Sequence, residues 1–194
     1  RQLVRPTVAE RPFIGFGDPV LAGAPDRGAG IQFASLFRGS IADVEEVRGL
    51  PSLPETADEL REMATFLGAG ESSVYLREQA TETNVKALPL KSSRVIAFAT
   101  HGLLSGELTG LAEPALVLTP PAEGTEHDDG LLTASEIAQL DLNAEWVILS
   151  ACNTAGGDRP GAQGLSGLAK AFFYAGARAL LVSHWPVESS SATA

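Results

Sequence analysis

The chain has 194 residues, 44% of them hydrophobic, enough for one α/β domain with a sizeable core. Its 24 acidic residues against 14 basic ones give a formal charge of −10, which argues against a nucleic-acid groove, because phosphate binding needs clustered Lys and Arg. No apolar run is long enough to span a bilayer, no signal-peptide pattern opens the chain, and a lone cysteine cannot form an internal disulfide; no membrane association is expected, and a reducing, cytoplasmic setting fits.

Arg1 rather than Met opens the sequence, as expected of a piece of something longer. Residues 12–17 read as a first strand, closed by the turn Gly17-Asp18-Pro19. Residues 21 to about 53 are rich in Gly, Pro and Arg and lack sustained periodicity, so they read as a long loop excursion over the surface. Leu60, Met63, Ala64 and Leu67 then fall at helical spacing, with Thr56 and Glu59 as a capping box and Gly68 as the stop. A short strand over 73–76 and a short helix over 81–88 follow. Arg94-Val-Ile-Ala-Phe-Ala-Thr100 is a buried strand that runs straight into His101. Residues 115–119 form another strand, ended by Pro120-Pro121, and 122–130 a polar turn. Thr133 and Glu136 cap a helix carrying Ile137 and Leu140. Trp146-Val-Ile-Leu-Ser-Ala151 is a second buried strand and runs into Cys152. A glycine-rich loop over 156–161 precedes a helix that buries Leu165, Leu168, Ala169 and Phe172 and stops at Gly176. Residues 178–183 are the last strand, leading to His184-Trp185-Pro186.

The two buried strands carry the chemistry. Near-continuous apolar runs rich in β-branched residues are central strands of a parallel sheet, and reactive sites of open α/β sheets lie at the carboxyl ends of such strands. The only thiol and one of three imidazoles are thus delivered to one edge, as a cysteine nucleophile and its general base are. Only the thiolate attacks a carbonyl well; an imidazole can take its proton and later protonate the leaving amine. The N–H groups of Gly102 and Cys152 are candidates for an oxyanion hole, where one donor is typically worth about 3–4 kcal/mol of barrier.

His101 and Cys152 stand 51 positions apart, close to the spacing in caspases. The segments Ala97-Phe-Ala-Thr-His-Gly102, Leu149-Ser-Ala-Cys-Asn-Thr154, Ala171-Phe-Phe-Tyr-Ala-Gly-Ala-Arg178 and Ser183-His-Trp-Pro-Val187 resemble a CHAT domain. That family is a bacterial and eukaryotic branch of the caspase-like cysteine peptidases, often attached to TPR repeats. The similarity extends to 13–19, 53–59 and 130–136, so it covers nearly the whole chain outside 21–53. It implies a caspase-like three-layer α/β/α sandwich with a mostly parallel central sheet, formed by residues 1–194 as one domain, and a His101–Cys152 dyad. Two departures stand out. The caspase signature Q-A-C-[RQG]-G is replaced by Ser150-Ala-Cys-Asn-Thr154, which argues against cleavage after Asp. The chain also stops at Ala194, soon after its last strand, where CHAT domains continue, so part of the substrate cleft is expected to be missing.

Other signals carry less. His184 reads as structural or cleft-lining. His127, Asp128 and Asp129 read as a solvated loop, without the second ligand pair that zinc needs. Gly156, Gly157, Gly161, Gly164 and Gly167 match neither phosphate-binding pattern, so no metal and no cofactor is expected. Asp18, Ser150, Trp185 and Glu188 are candidates for a specificity pocket, whose carboxylates favour Lys or Arg before the scissile bond. Arg27, Arg38 and Arg48 are then candidate self-processing sites. The expected function is a cysteine endopeptidase acting on a protein or peptide; the alternative is a catalytically silent interaction or signalling module of the same fold. A TPR-mediated partner outside this chain is implied by the resemblance alone.

Overall fold

The structure is a computed structural model and describes residues 9–23, 37–38, 41–103, 113–150 and 162–182. In chain order the elements are β1 (Arg11–Pro19), β2 (Phe37–Arg38), β3 (Ile41–Ala42), α1 (Val44–Arg48), α2 (Glu55–Phe66), β4 (Val74–Arg77), α3 (Glu82–Ala87) and β5 (Ser93–Ala99), then β6 (Gly102–Leu103), β7 (Ala115–Val117), β8 (Leu131–Thr133), α4 (Ala134–Ile137), β9 (Trp146–Ser150), α5 (Ala162–Ala175) and β10 (Leu180–Val182).

Five strands form a parallel sheet in the order β10-β9-β5-β1-β4. The central strands are apolar on both faces because both faces are covered. Phe13, Val95, Ala97, Ala99 and Ile148 pack under Leu60 and Ala64 of α2. Ile14, Phe16, Ile96, Phe98, Val147 and Leu149 point the other way, against Leu168, Ala171 and Phe172 of α5 and Ile137 of α4. An aromatic row crosses this second face: Tyr75 stacks on Phe16 at 5.2 Å, Phe16 on Phe98 at 5.4 Å, and Phe98 leans on Phe172 at 5.6 Å between ring centroids. Helix, parallel sheet and helix make the expected three-layer α/β architecture.

Close approach sets the sequence of β1. A Cβ on Gly17 would stand 2.6 Å from Leu60 Cδ1 and 2.7 Å from the carbonyl oxygen of Ala99, and one on Gly15 would stand 2.9 Å from Leu60 Cδ2. The two glycines let α2 lie directly on the sheet.

Several expectations need correction. The strand expected at 115–119 forms over Ala115–Val117, and it lies in a separate antiparallel sheet, β6-β7-β8. One face of that small sheet, Leu116 and Leu132, joins the main core. The other, with Leu103, Ala115, Val117 and Leu131, buries Leu21, Ala42, Val47 and Leu50. So residues 41–50 of the expected surface excursion are an ordered layer with α1 at its centre, and Val47 is fully buried. In the first long helix Leu60 and Ala64 are buried as expected, while Met63 and Leu67 are half-buried at its flank. Leu168 and Phe172 are fully buried; the side chain of Leu165 lies outside the described residues.

The capping box at Thr133 and Glu136 forms as the pattern requires. The polar turn before it is exposed over most of its length, His127 included, as expected, and it is docked through Asp128 and Asp129. Asp129 accepts from Ala42 N at 2.7 Å, Asp128 accepts from Thr83 Oγ1 at 2.5 Å, and buried Glu82 accepts from the N–H groups of Asp129 and Gly130 at 2.8 and 2.7 Å. Lys86 joins Glu82 to Glu136 at 2.7 and 2.8 Å, fastening α3 to α4. No helix among the described residues is long and apolar enough to cross a membrane.

Candidate active site at the carboxyl edge of the parallel sheet

Strand register aligns the ends of the two informative strands. β5 and β9 are neighbours, and Ala99 is paired with Ser150. The ladder runs one step further, Thr100 N donating to Ser150 O at 3.2 Å. His101 follows two positions after Ala99. Cys152 follows two positions after Ser150 and lies outside the described residues.

His101 sits where the two sheets meet, between the end of β5 and the start of β6, and is 1% exposed. Its Nε2 lies 2.8 Å from the carbonyl oxygen of Pro51. A carbonyl only accepts, so Nε2 carries the hydrogen, and the basic lone pair of the neutral ring belongs to Nδ1. Its neighbours are fixed as well: Thr100 Oγ1 donates to Val117 O at 2.6 Å, and Val117 N to His101 O at 2.9 Å. The second contact makes Gly102 and Leu116 a non-hydrogen-bonded antiparallel pair, which turns the Gly102 N–H away from β7.

One segment crosses this edge. Beyond Pro51, Thr56 Oγ1 accepts from the backbone N–H of Asp18 at 2.9 Å and donates to Leu53 O at 2.7 Å. Glu59, on the next turn, accepts from Ser150 Oγ at 3.0 Å through Oε2. Residues 51–59 therefore meet the ends of β5, β1 and β9 in turn, through Pro51, Thr56 and Glu59. The expected capping box between Thr56 and Glu59 does not form: the helix starts at Glu55 behind Pro54, and both side chains face the sheet edge. Burial pushes the Glu59 carboxyl above its usual range, the Ser150 hydroxyl opposes that, and the charges of Glu55 and Glu62 add to it.

The candidate pocket residues separate. Asp18 ends β1 in the left-handed region at φ 43, and its buried carboxylate accepts from Arg77 Nη1 at 3.2 Å across the end of β4. Arg77 is also left-handed, at φ 52. Burial raises the Asp18 pKa and Arg77 works against that. Asp18 thus already has a counter-charge, while Ser150 faces Glu59. Trp185 and Glu188 lie outside the described residues, as do His184, residues 156–161 and Arg27. Arg38 falls in β2. Arg48 closes α1, and its carbonyl accepts from Ala22 N at 2.7 Å, so the Arg48–Gly49 bond is not in an extended, accessible stretch.

Reasoning from sequence missed Pro51 and misassigned Glu59. A backbone carbonyl leaves no mark on residue type. For Glu59 the available signal was a Thr-x-x-Glu pattern that a helix start explains equally well.

A family model described as the CHAT domain matches residues 4–194. Tetratricopeptide repeat protein 28 of Mus musculus is 30% identical over 169 residues, a match covering 70% of this chain and 6% of that protein. The chain therefore spans only a small part of that relative's length. No solved structure matches.

Proposed function

The chain belongs to the CHAT-domain family, and from that premise we propose that it is a cysteine endopeptidase with His101 as base and Cys152 as nucleophile. The observation that carries the proposal is the register of β5 and β9: Ala99 faces Ser150, and each candidate group follows two positions later. The contact from His101 Nε2 to Pro51 O supports the role of base, because a third group that holds one ring nitrogen leaves proton transfer to the other.

His101 Nδ1 takes the Cys152 thiol proton, and the thiolate adds to the scissile carbonyl carbon. The oxyanion is met by the Gly102 N–H, turned away from β7, and by the Cys152 N–H. Collapse breaks the C–N bond, and the imidazolium gives its proton to the leaving amine. Water, deprotonated by the imidazole, hydrolyses the thioester, releasing the acid and restoring the thiol.

A protein or peptide is the substrate class that this chemistry takes, and a single cysteine fits a reducing, cytoplasmic setting. The name of the mouse relative supports a TPR-containing partner or a TPR region for the whole protein. A fluorogenic peptide library tests the activity. Cys152→Ala should reduce cleavage to background, and His101→Ala should lower kcat/KM by at least about a hundredfold. Cleavage by either variant at the wild-type rate contradicts the dyad.

A further inference from the structure

We propose that Glu59 is the residue that selects the substrate, accepting the side chain of a Lys or Arg placed before the scissile bond. This rests on the peptidase reading above and names the substrate class of that same site.

Three observations carry it. The first is position. Glu59 Oε2 holds the hydroxyl of Ser150, the last residue of β9, two positions before Cys152. A side chain placed against the end of β9 on the α2 face meets this carboxylate. The face is fixed by alternation: Ile148 packs with the α2 cluster, and Ser150, two residues on, bonds a residue of α2.

The second is charge. Glu59 is half-buried, and its hydrogen-bond partner is a neutral hydroxyl. Among the described residues no basic side chain pairs with it: Arg61 is held by Asp58 at 3.0 Å, and Arg77 by Asp18 at 3.2 Å. Glu55 and Glu62 add to the negative field. A partly desolvated carboxylate without a counter-ion is costly, and an incoming ammonium or guanidinium removes that cost.

The third is the elimination of Asp18. Its carboxylate is occupied by Arg77, and both residues adopt left-handed backbone at adjacent strand ends, so the pair is a fastening of β1 to β4. Between Asp18 and Glu59, Glu59 is the one that bonds the end of β9 and is still short of a cation among the described residues.

The test uses the single cysteine as its own reporter. Alkylation of Cys152 by iodoacetamide is followed in the presence of two peptide aldehydes, acetyl-Gly-Gly-argininal and acetyl-Gly-Gly-norleucinal, which differ only in side-chain charge. Protection in each variant is expressed relative to its own uninhibited rate. In the wild type the argininal should protect at a concentration roughly 10- to 100-fold lower than the norleucinal, the worth of a charge-assisted hydrogen bond. Glu59→Gln, which keeps an acceptor for Ser150, should bring the two aldehydes together, and Asp18→Asn should keep them apart. Equal protection by both aldehydes in the wild type, or no protection by either, overturns the proposal without need of any variant. A preference that survives Glu59→Gln overturns Glu59 as the selecting residue. Failure of the peptidase reading looks different: His101→Ala then leaves the alkylation rate unchanged.

Discussion

Thr56 shows how one hydroxyl secures the candidate site. Its Oγ1 accepts the buried N–H of Asp18 and donates to Leu53 O, so it holds both the left-handed end of β1 and the segment leading from Pro51 to α2. Thr56→Val keeps the shape and removes both bonds. It should lower stability in urea by about 1–3 kcal/mol, the cost of a buried donor left unmet, and Thr56→Ser should restore most of it. A Val variant as stable as the Ser variant would show that the hydroxyl holds nothing. At this scale the sequence is legible in residue type but not in partner. His101 and Ser150 are visible as strand-end polar groups because the apolar runs before them stop. Pro51 is invisible because its carbonyl acts, and Glu59 is hidden because helix capping and sheet-edge bonding ask for the same side chain.

Elements were readable in proportion to their burial on regular periods. β5, β9, α2 and α5 show their patterns because long faces are covered. α1 is too short for periodicity, with Val47 its single buried residue, and so it merges into a glycine-rich stretch. β7 is legible as a strand, but its antiparallel partners are set by tertiary contact, which residue type does not encode. Two predictions belong here. Gly17→Ala puts a Cβ 2.6 Å from Leu60 Cδ1 and 2.7 Å from Ala99 O, and should destabilise by about 1–3 kcal/mol by lifting α2 from the sheet. Wild-type stability in Gly17→Ala would mean that α2 does not lie so close. The second concerns Glu82, which links α3 to the loop before β8. Burial pushes its pKa from 4.5 to about 7, against the pull of Lys86. The folded state therefore holds this proton more tightly than the unfolded one. The stability it contributes is present below pH 4.5 and is lost as pH rises towards 7. Relative to wild type, Glu82→Gln should gain up to about 3 kcal/mol across that window. A difference that stays flat with pH, or runs the other way, refutes the assignment.

For the molecule as a whole, the three layers turn sequence order into one reactive edge. α2 covers one face of the parallel sheet, α4 and α5 the other, and the small antiparallel sheet continues β5 past His101. Parallel strands end together, so residues 51–59 can meet three of them with Pro51, Thr56 and Glu59. The layering was legible from the apolar runs; the bridging segment was not, because it is made of backbone and ordinary polar contacts between residues far apart in sequence.

The central claim is that His101 serves Cys152, and the chain's single thiol makes it directly measurable. The rate of Cys152 alkylation by iodoacetamide, measured against pH in the wild type and in His101→Ala, reports the thiolate fraction. The wild type should titrate well below the ordinary thiol value of about 8.5, and His101→Ala should return to it. Superimposable profiles for the two proteins would contradict the dyad.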